Sequence, residues 1–181
     1  MSDVVDYIKY YEDVVPNTVC HEILSCTETV YVPSTYSNND GVVVSTDRVS
    51  MDEFWVKKDS VLYPVIHKCF STVIEKYSDA FPRFSVKNTT DFRINRYAEG
   101  GFMSSHVDNI HHSHGQQYGF PQVSALLYLN DDYEGGEFYV ADKKYEPKKG
   151  SAIIFPSNFM FPHEAKAVTK GTRWSIVTWL M

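Results

Sequence analysis

Two hydrophobic periodicities divide the chain. Leu62, Ile66, Phe70, Val73 and Tyr77 recur at three- and four-residue intervals, which lines one face of a long helix. The helix should start near Asp59 or Ser60, where Pro64 is tolerated because the first turn has no use for its missing N–H. Pro82 ends it. A shorter helix is announced by Pro16-Asn17-Thr18, with Val19, Ile23 and Cys26 on one face. Residues 3–15 mix apolar and acidic positions and read as an extended entry to the fold. Residues 32–45, crowded with Pro33, Ser34, Ser37, Asn38, Asn39, Asp40 and Gly41, read as a surface loop. After Pro82 the pattern becomes short apolar or alternating runs at 92–94, 123–129, 137–140, 152–155 and 174–180, divided by Gly, Pro, Asn and Asp. Helices come first and strands second. The expectation is one domain over 1–181, with helical support over about 1–82 and a strand-rich unit over about 83–181.

The strand-rich half carries the chemistry. His106-Val107-Asp108 puts an imidazole and a carboxylate on one side of an extended segment, because alternate side chains of a strand share a face. A second imidazole, His163, arrives 57 positions later, on a separate strand. Two histidines and one carboxylate occupy one face of an octahedral metal and leave the other open, the arrangement of non-haem Fe(II) oxygenases. Alone, His-x-Asp reads as an ordinary surface pair. Arg173 raises it, since a guanidinium inside an apolar strand needs an anionic partner and suits a bidentate carboxylate best. Ligands on separated strands, with helices ahead of them, point to an α+β, mainly β fold: a double-stranded β-helix (jelly-roll) barrel backed by N-terminal helices.

These residues and their flanks resemble the prolyl 4-hydroxylase-like branch of the 2-oxoglutarate/Fe(II)-dependent dioxygenase superfamily. The resemblance is carried by Arg96-Tyr97, Gly100-Gly101, His106-Val107-Asp108, Leu127-Tyr128-Leu129-Asn130, Gly135-Gly136-Glu137, Gly150, Phe155-Pro156, His163 and Gly171-Thr172-Arg173. It covers roughly residues 90–181 in order, with weaker support from residues 11–24. It implies that His106, Asp108 and His163 hold catalytic Fe(II), and that Arg173, with Tyr97 and Tyr128, binds the cosubstrate 2-oxoglutarate. It further implies that Trp179 lines the substrate channel and that ascorbate supports turnover. The implied reaction uses O2 to hydroxylate an unactivated C–H bond, with a peptidyl prolyl residue as the leading substrate, and releases succinate and CO2. One position departs from the pattern. Related peptidyl hydroxylases commonly carry an arginine near the start of the strand leading to Tyr128, where this chain has Pro121 and Gln122. The glycines at 135, 136 and 150 are read as barrel turns without chemistry.

Other readings of the same residues stay open. Tyr97, Tyr128 and Trp179 would serve equally as core aromatics, and Arg173 as half of a structural salt bridge. His111, His112 and His114 suggest a second metal site, but no carboxylate or cysteine is spaced to join them, so a solvated loop is preferred. The loop over residues 109–121 follows the ligand pair directly and is a candidate lid. The substrate could instead be a free amino acid or another small metabolite. Outside enzymes, a catalytically idle jelly-roll binding module would require a broken triad; a cupin-like zinc hydrolase would leave Arg173 without a role.

Composition narrows the partners. A net charge of −6 weighs against nucleic acid, whose phosphates are bound through Lys and Arg. Lys143-Lys144 and Lys148-Lys149 are read as turn lysines. No run approaches the roughly 18 apolar residues that span a bilayer, so no membrane is expected. Cys20, Cys26 and Cys69 form no disulfide framework, and with no charged-then-apolar leader the expectation is a reducing cytoplasm.

Overall fold

The computed structural model describes residues 3–26, 29–38, 41–43, 47–86, 88–109 and 120–181. Most of the candidate lid, including His111, His112 and His114, lies outside the described residues. The elements in order are β1 (Lys9–Tyr11), α1 (Asn17–Leu24), β2 (Val32–Pro33), β3 (Tyr36–Asn38), β4 (Gly41–Val43), β5 (Val49–Ser50), β6 (Asp52–Val56), α2 (Tyr63–Ala80), β7 (Phe92–Tyr97) and β8 (Phe102–His106). Then follow β9 (Val123–Tyr128), β10 (Glu134–Gly135), β11 (Phe138–Val140), β12 (Lys143–Tyr145), β13 (Ala152–Pro156), β14 (His163–Ala165), β15 (Val168–Lys170) and β16 (Arg173–Leu180).

Two antiparallel sheets make the jelly roll. The larger runs β1-β13-β9-β16-β7-β6-β2 and the smaller β12-β11-β14-β8-β5. Strands β10 and β15 pair by themselves, as do β3 and β4. The large sheet is buried on both faces, which explains why β9 is apolar at nearly every position. Phe92, Ile94, Val123, Ala125, Leu127, Ile176 and Leu180 face the helices. The alternate set, which includes Tyr97, Leu126, Tyr128, Val177 and Trp179, faces the second sheet.

Helix α2 lies on the outer face through Ile66, Cys69, Phe70, Val73 and Tyr77, all buried. Phe70 stacks on Phe92 with ring centroids 5.2 Å apart, and the Tyr77 hydroxyl donates to the Tyr7 carbonyl at 3.0 Å. Pro64 sits in the first turn of α2, as its sequence position predicts. In α1 the buried positions are Cys20 and Ile23, while Val19 is only partly covered; the helix ends at Leu24, so Cys26 lies beyond its face. The apolar stripe is therefore centred one residue beyond Val19.

The division into helices and then strands is less clean than the sequence pattern implies. β1, β2 and β6 join the large sheet and β5 the small one, all from before residue 83. The entry segment is a 3-10 turn over Val4–Tyr7, capped by Asp3, followed by edge strand β1 against β13. The region read as a surface loop contains β2 and the β3–β4 hairpin, with Asn38 opposite Gly41. Turn-forming text is shared by loops and hairpins, and only long-range pairing separates them. No described helix is long and apolar enough to cross a membrane.

Candidate metal and cosubstrate site

Strands β8 and β14 are neighbours, and their register sets His163 directly opposite His106. β8 ends at His106, so Asp108 is not on the strand, as the pleat argument expects, but in the bend beyond it. It reaches the same place because Ser124 of β9 donates its hydroxyl to Asp108 Oδ2 at 2.6 Å. Ser124 is itself bonded to the Ser157 hydroxyl at 2.7 Å.

The three side chains converge. His106 Nε2 lies 3.4 Å from Asp108 Oδ1, and His163 Nε2 lies 3.3 Å from Asp108 Oδ2. One ligand atom from each residue falls within 4.8 Å of the others. Both imidazoles are oriented through the opposite nitrogen. His106 Nδ1 meets the Ser104 carbonyl at 2.8 Å, and His163 Nδ1 meets the Phe161 carbonyl at 3.2 Å. A carbonyl only accepts, so each Nδ1 carries the proton and each Nε2 is left with a lone pair for a metal. Burial, helped by the neighbouring His163, pushes the His106 pKa down toward the neutral ligand form. Burial opposes charge on Asp108, but the two imidazoles outweigh it and hold the carboxyl well below its usual range. The Phe155 ring packs on His163 with centroids 4.9 Å apart, which fixes the imidazole plane.

Arg173 stands deeper on the same interior face. It is 1% exposed, and none of its three guanidinium nitrogens has a hydrogen-bond partner. Its guanidinium carbon lies 4.8, 5.2 and 5.9 Å from the ring centroids of Tyr97, Tyr128 and Phe138. The Tyr128 hydroxyl is also buried without a hydrogen-bond partner. The phenols of Tyr128, Tyr97 and Tyr133 offset the burial penalty on the cation and hold its pKa up. A desolvated cation and an unpaired hydroxyl in one pocket are costly unless an anion meets both. The donor set fits a carboxylate, and the structural salt bridge that was open from sequence does not form among the described residues.

Trp179 is 3% exposed and belongs to the interior core, yet it also lines the cavity in front of the ligands, with Arg93, Asn95, Met103, Leu126 and Val177. Sequence reasoning missed Ser124, Asn95 and Arg93, and read Gly136 as a turn alone. Arg93 and Asn95 were visible in Phe92-Arg-Ile-Asn-Arg-Tyr97, since polar residues alternating with core apolar ones must face the barrel alongside Tyr97. Gly136 has φ +65, and a Cβ there would come within 3.1 Å of Arg173 Cδ. That glycine leaves room for the arginine as well as making a turn.

Residues 92–181, which contain all of these groups, match the family model described as 2OG-Fe(II) oxygenase superfamily. Prolyl 3-hydroxylase 2 of Homo sapiens is 45% identical over 69 residues, covering 34% of this chain and 10% of that protein. Prolyl 3-hydroxylase 1 of Gallus gallus is 44% identical with the same coverage. The matched segment thus spans about a tenth of these relatives. Among solved structures, viral collagen prolyl hydroxylase from Paramecium Bursaria Chlorella virus-1 superposes with a TM-score of 0.75 at 18% identity, over 98% of both chains. A prolyl hydroxylase from Trichoplax adhaerens, in complex with a hypoxia inducible factor peptide fragment, gives 0.77 at 18% identity, over 98% of this chain and 87% of that one. These likenesses establish the shared jelly roll. Through residues 92–181, which hold the His-Asp-His cluster and the buried arginine, the chain belongs to the 2OG-Fe(II) oxygenase superfamily.

Proposed function

We propose that this enzyme hydroxylates a prolyl residue within a peptide, with His106, Asp108 and His163 as the Fe(II) ligands and Arg173 as the grip on the far carboxylate of 2-oxoglutarate. The observation that carries the cosubstrate assignment is the buried guanidinium of Arg173, whose three nitrogens have no partner, on the same barrel interior as the triad. When bound, Fe(II) and 2-oxoglutarate supply the oxidation: one atom of O2 enters the substrate C–H bond, the other ends in succinate, and CO2 leaves. The protein's own work is placement. Nε2 of each histidine and the Asp108 carboxylate, steadied by Ser124, present a ready ligand face. Tyr97 and Tyr128 flank the guanidinium and keep its carboxylate-binding edge dry, which strengthens the ion pair. Trp179 and its neighbours shape the space in front of the triad. The prolyl hydroxylase relatives support a peptide substrate, and the free cysteines, two of them buried, support a reducing compartment.

The test supplies Fe(II), 2-oxoglutarate, O2 and ascorbate, with either a panel of proline-containing peptides or free proline. Peptide-dependent succinate with a matching yield of hydroxyproline is expected, and mass and chromatographic analysis of the product assigns the 3- or 4-position. Hydroxylation confined to a free amino acid would replace the peptide reading with the small-metabolite one.

A further inference from the structure

We propose that Arg93 is a substrate-positioning residue that donates a hydrogen bond to a main-chain carbonyl oxygen of the bound peptide. The inference rests on the peptide hydroxylase reading and names the contact that holds the substrate. Arg93 lies on the interior face of β7, between Trp55 of β6 and Val177 of β16 in the sheet register. Its side chain is 15% exposed and lines the same cavity as His106, Asp108 and His163. Among the described residues it is the one cation in that lining.

Its surroundings fix the group without using it up. The guanidinium carbon is 4.8 Å from the Trp179 ring centroid and 5.8 Å from that of Trp55, so two indoles restrict its plane. Nη1 lies 3.4 Å from Glu53 Oε2. The Glu53 carboxylate is held in turn by the Ser34 hydroxyl at 2.6 Å and by Trp55 Nε1 at 3.0 Å. Arg93 lines the cavity, and its Nε–H is buried with no acceptor in the protein. An arginine that were merely structural would be expected to spend its donors on the protein.

Glu53 also decides what kind of oxygen this donor takes. It already balances the charge of Arg93, so a second carboxylate would enter beside a fixed like charge and be repelled. A neutral amide carbonyl meets no such opposition and still gains a charge-assisted bond. The wall therefore selects a peptide group over the carboxylate of a free amino acid. Its role is separate from that of Arg173, which has no carboxylate bonded to it and is suited to an anion.

The test is steady-state kinetics and binding on the full chain, with end-capped proline peptides and free proline as probes. Arg93→Ala is expected to raise the KM for capped peptide about tenfold or more, while the KM for 2-oxoglutarate stays within about twofold. Arg93→Lys should recover part of that loss, since the charge and one donor return. Peptide binding should change the fluorescence of Trp55 and Trp179 in the wild type, and that response should weaken in Arg93→Ala. Glu53→Gln leaves the guanidinium unbalanced and should shift preference toward free proline or uncapped peptides. If the wild type turns over peptides and Arg93→Ala binds them equally well, the assignment falls while the peptide reading stands. If Glu53→Gln leaves the preference unchanged, the claim of a neutral acceptor falls. If the wild type hydroxylates free proline and no peptide, the peptide reading fails and takes this assignment with it.

Discussion

Arg173 is the residue whose environment says most about what the barrel holds. A guanidinium stacked among Tyr97, Tyr128 and Phe138, with no hydrogen-bond partner for any nitrogen, is stable only if an anion completes it. Truncating one partner of a buried charge pair costs on the order of 2–5 kcal/mol. Arg173→Ala should therefore raise the KM for 2-oxoglutarate by well over tenfold, and Arg173→Lys by less, because the charge survives and the fork does not. Initial rates at varied 2-oxoglutarate measure this; normal saturation of the Ala variant would move the cosubstrate elsewhere. Arg173 was legible in the sequence because a charge inside an alternating apolar run demands an explanation. Ser124 was not. Its hydroxyl orients Asp108 across 16 positions, and a serine in an apolar strand is ordinary until the strand's neighbours are known.

At the scale of elements, legibility follows the range of the pattern. Helix α2 was readable because its stripe from Ile66 to Tyr77 is written within a single segment. β6 was not, since Asp52 and Glu53 open it and hide its alternation. Those acids make sense only across the sheet, where Asp52 pairs with Arg96 at 2.6 Å and Glu53 with Arg93. The seven-stranded sheet separates two tasks: its outer face meets the helices, and its inner face carries Arg173, Tyr97, Tyr128 and Trp179 opposite the smaller sheet that holds His106 and His163. Ile66 is fully buried in the outer core and remote in role from the triad. Ile66→Ala should lower the unfolding free energy by about 2–5 kcal/mol. Below the new unfolding midpoint it should leave the KM values for peptide and 2-oxoglutarate unchanged. Denaturant titration alongside kinetics checks both parts, and altered KM values would show that the sheet transmits packing changes to its inner face.

For the molecule as a whole, the site gathers buried groups that want ligands. Lone pairs on two imidazoles, a depressed carboxylate and an unpaired guanidinium all favour the loaded form over the empty one, and the unfolded chain offers none of this geometry. Ligands that bind only the folded state stabilise it by about 2.7 kcal/mol at a hundred times their Kd. In a chain of this size each kcal/mol moves the Tm by roughly 2–4 °C. Saturating Mn(II) with 2-oxoglutarate, a pair that avoids turnover, should raise the Tm by about 5–10 °C. The two contributions should separate by residue. Asp108→Ala and His163→Ala should lose the metal-dependent rise, along with the part of the 2-oxoglutarate rise that needs chelation at the metal. Arg173→Ala should keep the rise from Mn(II) alone and lose most of the further increase on adding 2-oxoglutarate. Scanning calorimetry on the four proteins makes the comparison directly. A metal-dependent rise that survives in both triad variants would remove the ion from His106, Asp108 and His163, whatever the activity measurements showed.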